Sequence, residues 1–134
     1  MTSQQEPGAG DPRAITVAAY AALFLFGLAQ GMLGTFFYAA GPAPAAALGF
    51  DVAILATCML GGWGMRGALG ALAPAAGWFI VTFYLASGTS GGSVLITATT
   101  AGEWYLFGGA LSATAGLAAG AVGWSRPRRA RGRP

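Results

Sequence analysis

Long uncharged stretches, broken by short segments rich in Gly, Pro and Arg, set the pattern of this chain. The first stretch, residues 15–38, reads ITVAAYAALFLFGLAQGMLGTFFY. As a helix it would extend about 36 Å, enough to cross a hydrocarbon core of about 30 Å with some tilt. It exceeds the apolar region of about 7–15 residues of a cleaved signal peptide, although Arg13 precedes it and PAPAAA follows. GPAP at 41–44 then forces a tight turn.

A second apolar run covers about 45–65 and is closed by Arg66, and a third covers 67–86. The turn between them, GGWGMRG, is short enough to make these spans antiparallel neighbours. Pro74 predicts a kink in the third span or a neighbour that satisfies the freed carbonyl. The longest connection, 87–102, reads SGTSGGSVLITATTAG. Its Gly/Ser half is turn-like, and its β-branched half predicts a short extended segment. A fourth run, 103–124, ends at GWSRPRRARGRP. The pattern predicts an all-α membrane protein, with four transmembrane helices in an antiparallel bundle.

Charge placement orients the bundle. With a cytoplasmic N-terminus, Arg13, Arg66 and the tail residues Arg126, Arg128, Arg129, Arg131 and Arg133 are all cytoplasmic, and the outer loops 39–44 and 87–102 hold no Lys or Arg. Phe36, Phe37, Tyr38, Phe83, Tyr84, Trp104 and Tyr105 then mark the outer interface, and Trp63 and Trp124 the inner one. The predicted topology is N-in/C-in in a bacterial inner membrane. Residues 1–13 form a disordered cytoplasmic tail and 125–134 a basic one, around a membrane domain of residues 14–124. A basic segment directly after a span is drawn to anionic lipid headgroups, at about 1 kcal/mol per nearby cation. With no folded binding module and no interleaved aromatics, it is not read as a nucleic-acid arm.

Composition agrees. Only 8% of the 134 residues are charged and 55% are hydrophobic, too little charge to cover a water-facing surface. His, Lys and Asn are absent while Ala, Gly, Pro and Arg abound, the signature of a GC-rich bacterial genome. The same absences narrow the chemistry. Without His there is no ready acid–base group, and the lone Cys58 offers neither a redox pair nor a zinc cluster. The expectation is a non-enzymatic protein with no cofactor and no metal, in which Cys58 is a small buried apolar residue.

Three polar residues are candidates for an ion or polar site. Asp51 interrupts an apolar run, and a carboxylate there is costly and by default functional. It is instead an ordinary first-turn residue if its helix starts near Gly49. Glu103 stands three residues after Thr100, so TAGE reads as a capping box with Thr100 as N-cap. If Asp51 and Glu103 share a depth, they could hold a cation, a proton or a polar headgroup together. Gln30, inside the first span, is expected to bond across helices. Gly27 and Gly31 form a GxxxG pair, and Gly108, Ser112, Gly116 and Gly120 line one face of the fourth span, permitting close packing. Chance alone gives about four GxxxG pairs among 23 glycines in 134 positions, and the chain has three, so the motif does not argue for a dimer.

Other features are similar to a known family: an Arg-preceded first span, a Pro-containing turn, a basic residue between spans two and three, Gly77–Trp78, GGSVLIT (91–97) and WYLFGGAL (104–111). Together these resemble a family of small actinobacterial four-span membrane proteins, a domain of unknown function. The resemblance covers roughly 14–124 and implies fold and location, with no activity attached. The family pattern carries an acidic residue where this chain has Ser93, which argues against an ion site in that loop.

The leading expectation is an accessory or scaffolding subunit that packs against another membrane protein or a second copy of itself. The alternative is a small transporter or channel using Asp51. Small multidrug exporters have four spans at similar length but carry a Glu in span one, where this chain has Gln30.

Overall fold

The computed structural model describes residues 10–88, 92 and 96–125, the side chains of Trp124 and Ser125 excepted. Helix α1 runs Pro12–Phe37, α2 Ala45–Gly64 and α3 Ala68–Ala86. A short α4, Thr100–Glu103, continues through a π-helical turn, Trp104–Gly108, into α5, Gly109–Ser125. No strand occurs among the described residues. Four helical stretches, 12–37, 45–64, 68–86 and 100–123, are long and apolar enough to cross a membrane, as the hydropathy pattern predicts. The chain is a multi-pass membrane protein.

Helix α1 begins earlier than the apolar run, because a cap and a proline precede it. Asp11 accepts a hydrogen bond from the Arg13 N–H at 3.0 Å. Pro12 occupies the first helical position, where its missing N–H is not needed. Arg13, expected in a disordered tail, is therefore in the first turn of α1. Residues 1–9 of that tail lie outside the described residues, as do Arg126, Arg128, Arg129, Arg131, Arg133 and Ser93.

The helices approach one another through glycines set against neighbouring carbonyls. A methyl on Gly27 of α1 would run into the Pro74 carbonyl of α3, and one on Gly77 of α3 into the Phe24 carbonyl of α1. Between α2 and α3, Gly61 and Gly70 each lie against the other's carbonyl. Pro74 cannot donate to the carbonyl four residues earlier, which is that of Gly70. The freed oxygen packs on the Gly61 backbone, a close approach suited to a weak Cα–H···O contact. Helix α3 runs unbroken through Pro74. On the other side of α2, Gly62 meets Gly120, and Gly116 meets Cys58 and Leu55. The small face expected on the fourth span is thus the face α5 turns to α2. Cys58 is free and fully buried there.

The turn from α2 to α3 is closed by the Gly67 N–H on the Gly62 carbonyl at 3.1 Å, with Arg66 at φ 51°. This left-handed position after a helix is usually glycine, because a side chain there costs roughly 1–2 kcal/mol. At the other end of the bundle, Ile96 is buried and the Thr97 N–H donates to the Tyr38 hydroxyl at 3.1 Å. That pair fastens the end of the long connection to the end of α1.

Candidate functional site

Asp51 is the seventh residue of α2, which starts at Ala45 and not near Gly49. It therefore lies about 9 Å along the helix, beyond the first turn. It is 3% exposed, and neither carboxylate oxygen has a hydrogen-bond partner. The reading of Asp51 as a water-facing first-turn residue is corrected by that placement.

The wall opposite Asp51 is the end of the π-helical turn. A methyl on Gly108 or Gly109 would crowd the carboxylate, so these adjacent glycines are what lets it seat against α5. A π turn widens the helix by one residue and is common at functional positions. Here it carries Tyr105, fully buried, into the bundle. The Tyr105 ring stacks on Tyr38 at 5.7 Å between centroids and meets Trp78 and Phe50 edge-on at 5.8 and 6.4 Å. Trp78 is 2% exposed and lies against Gly109, which links this aromatic cluster to the Asp51 carboxylate.

Hydroxyl groups cluster at one carbonyl beyond the aromatics. The Tyr105 hydroxyl donates to the Gly31 carbonyl at 2.9 Å, and the Thr35 hydroxyl donates to the same oxygen at 2.8 Å. Thr82 faces Gly31 from α3, and its buried hydroxyl oxygen has no partner. Helices α1, α2, α3 and α5, with the π turn, thus enclose an acid, two threonines and a tyrosine in an otherwise apolar interior.

The other candidates stand elsewhere. Glu103 is exposed whereas Asp51 is buried, and no hydrogen bond joins them among the described residues, so the structure does not bring the two carboxylates into one site. Its capping role is also corrected. Thr99, not Thr100, is the N-cap: its hydroxyl accepts from the Gly102 N–H at 3.3 Å, and the Glu103 N–H donates to the Thr99 carbonyl at 2.9 Å. The register moves because Thr99 is the last extended residue, with φ −113° and ψ 162°. Gln30 does bond across helices, donating to the Thr57 hydroxyl of α2 at 3.0 Å. Its own side-chain oxygen is buried without a partner. Thr57 is six residues beyond Asp51, about 9 Å along α2, so Gln30 belongs to a separate polar link. Arg13 and Arg66 are exposed.

Two of the expected interface aromatics point inward instead. Tyr38 and Tyr105 are buried, while Phe36, Phe37, Phe83, Tyr84 and Trp104 are exposed. Trp63 is exposed at the other end, its indole N–H donating to the Ala119 carbonyl at 3.3 Å. The contributions of Trp78, Thr35, Thr82 and Tyr105 to the site were not foreseen from sequence. The available signal was Gly108–Gly109, a pair without side chains in the same span as Tyr105.

No group of three or more His, Cys, Asp or Glu residues among the described residues could hold a metal ion. Comparison with known proteins found no matching family model, no matching curated protein and no matching solved structure.

Proposed function

We propose that the chain is a four-span inner-membrane protein with both termini cytoplasmic, its helices alternating in direction, and that Asp51 is its working group. The function this supports best is a small transporter in which Asp51 takes up and releases a proton. The observation that carries the reading is the carboxylate itself, enclosed by the bundle with both oxygens unpartnered. Leaving an ionised, unpaired carboxylate in such a place costs several kcal/mol, and residues of this kind recur in proton relays and substrate paths. A proton suits the site better than a metal cation, which needs several oxygen ligands. The glycines that clear space for the acid add to the case.

The test combines chemical labelling with flux. Dicyclohexylcarbodiimide, which attacks protonated carboxyls in apolar surroundings, is expected to label Asp51. Proteoliposomes under an imposed membrane potential are expected to pass protons, and Asp51→Asn to lose both signals. Labelling of Glu103 in place of Asp51, or undiminished flux in Asp51→Asn, overturns the reading.

The accessory-subunit reading is second. It is supported by α1, whose buried positions are only Gly27, Gly31, Gly34 and Thr35 among 26 residues. The rest is an apolar face for lipid or a partner. It ranks lower because the small-residue faces that favoured it are taken up by packing within the chain. Co-purification of a stoichiometric membrane protein in mild detergent, with no flux from the chain alone, would reverse the order. The resemblance to the actinobacterial four-span family fits either reading.

A further inference from the structure

A second feature lies at the opposite end of the bundle from Asp51. Helices α1 and α2 leave between them an apolar groove of about 670 Å³, lined from Phe26 to Ala19 on α1 and from Thr57 to Met65 on α2. The stretch from Thr57 to Met65 rises about 12 Å, close to the depth of one leaflet of a hydrocarbon core about 30 Å thick. At its inner end stands the Gln30–Thr57 hydrogen bond, which ties α1 to α2. At its mouth, directly after Met65, stands the exposed Arg66.

We propose that this groove holds one acyl chain of an anionic phospholipid, with the lipid phosphate on Arg66. Three observations select that occupant. The groove is one leaflet deep, whereas a partner helix needs a face that continues across the whole bilayer. Its walls are apolar, and Gly64, where an added Cβ meets nothing within 4 Å, leaves them open, as a hydrocarbon chain requires. Its mouth carries a positive charge in a left-handed backbone position that would favour glycine, in a chain otherwise rich in glycine. The inference rests on the proposed orientation only in assigning the lipid to the cytoplasmic leaflet. It is independent of proton chemistry at Asp51.

Gly64 supplies a clean variant, because it lines the groove and a Cβ there meets nothing within 4 Å, so a larger side chain can be placed at the groove wall without a clash at its Cβ. The experiment is native mass spectrometry of the full chain in detergent, titrated with phosphatidylglycerol or with phosphatidylcholine of the same acyl chains. Wild type is expected to hold one phosphatidylglycerol, preferred about fivefold over phosphatidylcholine, the equivalent of ~1 kcal/mol for one cation near one anionic headgroup. Gly64→Leu is expected to lose both lipids at least tenfold, and Arg66→Gln to lose only the preference. Equal lipid binding in wild type and Gly64→Leu overturns the proposal. Loss of a co-purifying protein, with lipid binding unchanged, also overturns it and gives the groove to a partner helix. Detergent solution has no sidedness and the readout involves no flux, so neither a wrong topology nor an inert Asp51 can imitate these results.

Discussion

Asp51 shows how one residue can oppose the stability of its own fold. Its carboxylate is enclosed without a hydrogen-bond partner, and stabilities suffer most from such groups. Replacing it with the isosteric but uncharged Asn is expected to leave the thermal midpoint in detergent equal to or above that of wild type while abolishing flux. A marked fall in the midpoint would mean that Asp51 is a structural residue. The glycines make the opposite case. Gly27 lies on the Pro74 carbonyl, and backbone cannot rotate aside as a flexible side chain can. Gly27→Ala is therefore expected to destabilise by about 1–3 kcal/mol. Gly49→Ala, where an added Cβ meets nothing within 4 Å, should show no loss in the same unfolding titration. Comparable losses at both sites would show that α1 and α3 are not held at this distance.

At the scale of elements, the spans were legible because each is a long run of apolar residues without charge, a signal that needs no periodicity. Their faces were not. A helix apolar all round gives no stripe to say which side turns inward, so the inward turn of Tyr38 and Tyr105 was hidden. The small-residue face of α5 was legible, since Gly116 and Gly120 are one turn apart and nothing larger competes. The start of α4 was misplaced by one residue because two adjacent threonines, Thr99 and Thr100, both suit an N-cap. Backbone geometry decides between them, and TAGE merely resembles a capping box. Thr99→Ala is expected to cost about 1 kcal/mol through loss of the bond from the Gly102 N–H, and Thr100→Ala much less. The reverse ranking in a denaturant titration would restore the capping box.

Asp51 was legible as a suspect, yet its setting was not. Its neighbours Trp78, Tyr105, Gly108 and Gly109 come from α3, from the π turn and from the start of α5, and no local spacing joins them. The π turn is the element that assembles the site. It places Tyr105 on the Gly31 carbonyl and, three residues later in the same helical stretch, Gly108 on the Asp51 carboxylate.

For the whole molecule, the apolar spans make a membrane location firm, while the proposed sidedness rests on the placement of the arginines along the sequence. Arg13 and Arg66 stand at the α1 start and the α2–α3 turn, and five more lie in the tail. The positive-inside bias counts residues near span ends, so this tail should dominate the last span. A green fluorescent protein fused at the C-terminus is expected to fluoresce, and alkaline phosphatase inserted in the 39–44 loop to be active. Replacing the five tail arginines with Gln while placing three arginines in the 87–92 segment reverses the bias around the fourth span. On the proposed topology the fluorescent fraction should then fall, because the last span loses the charge proposed to hold its end in the cytoplasm. Unchanged fluorescence would show that the earlier spans fix the topology. The tail arginines would then be free for another role, such as anionic lipid contact alone, which leaves Arg66 and its groove as the site where lipid and fold meet.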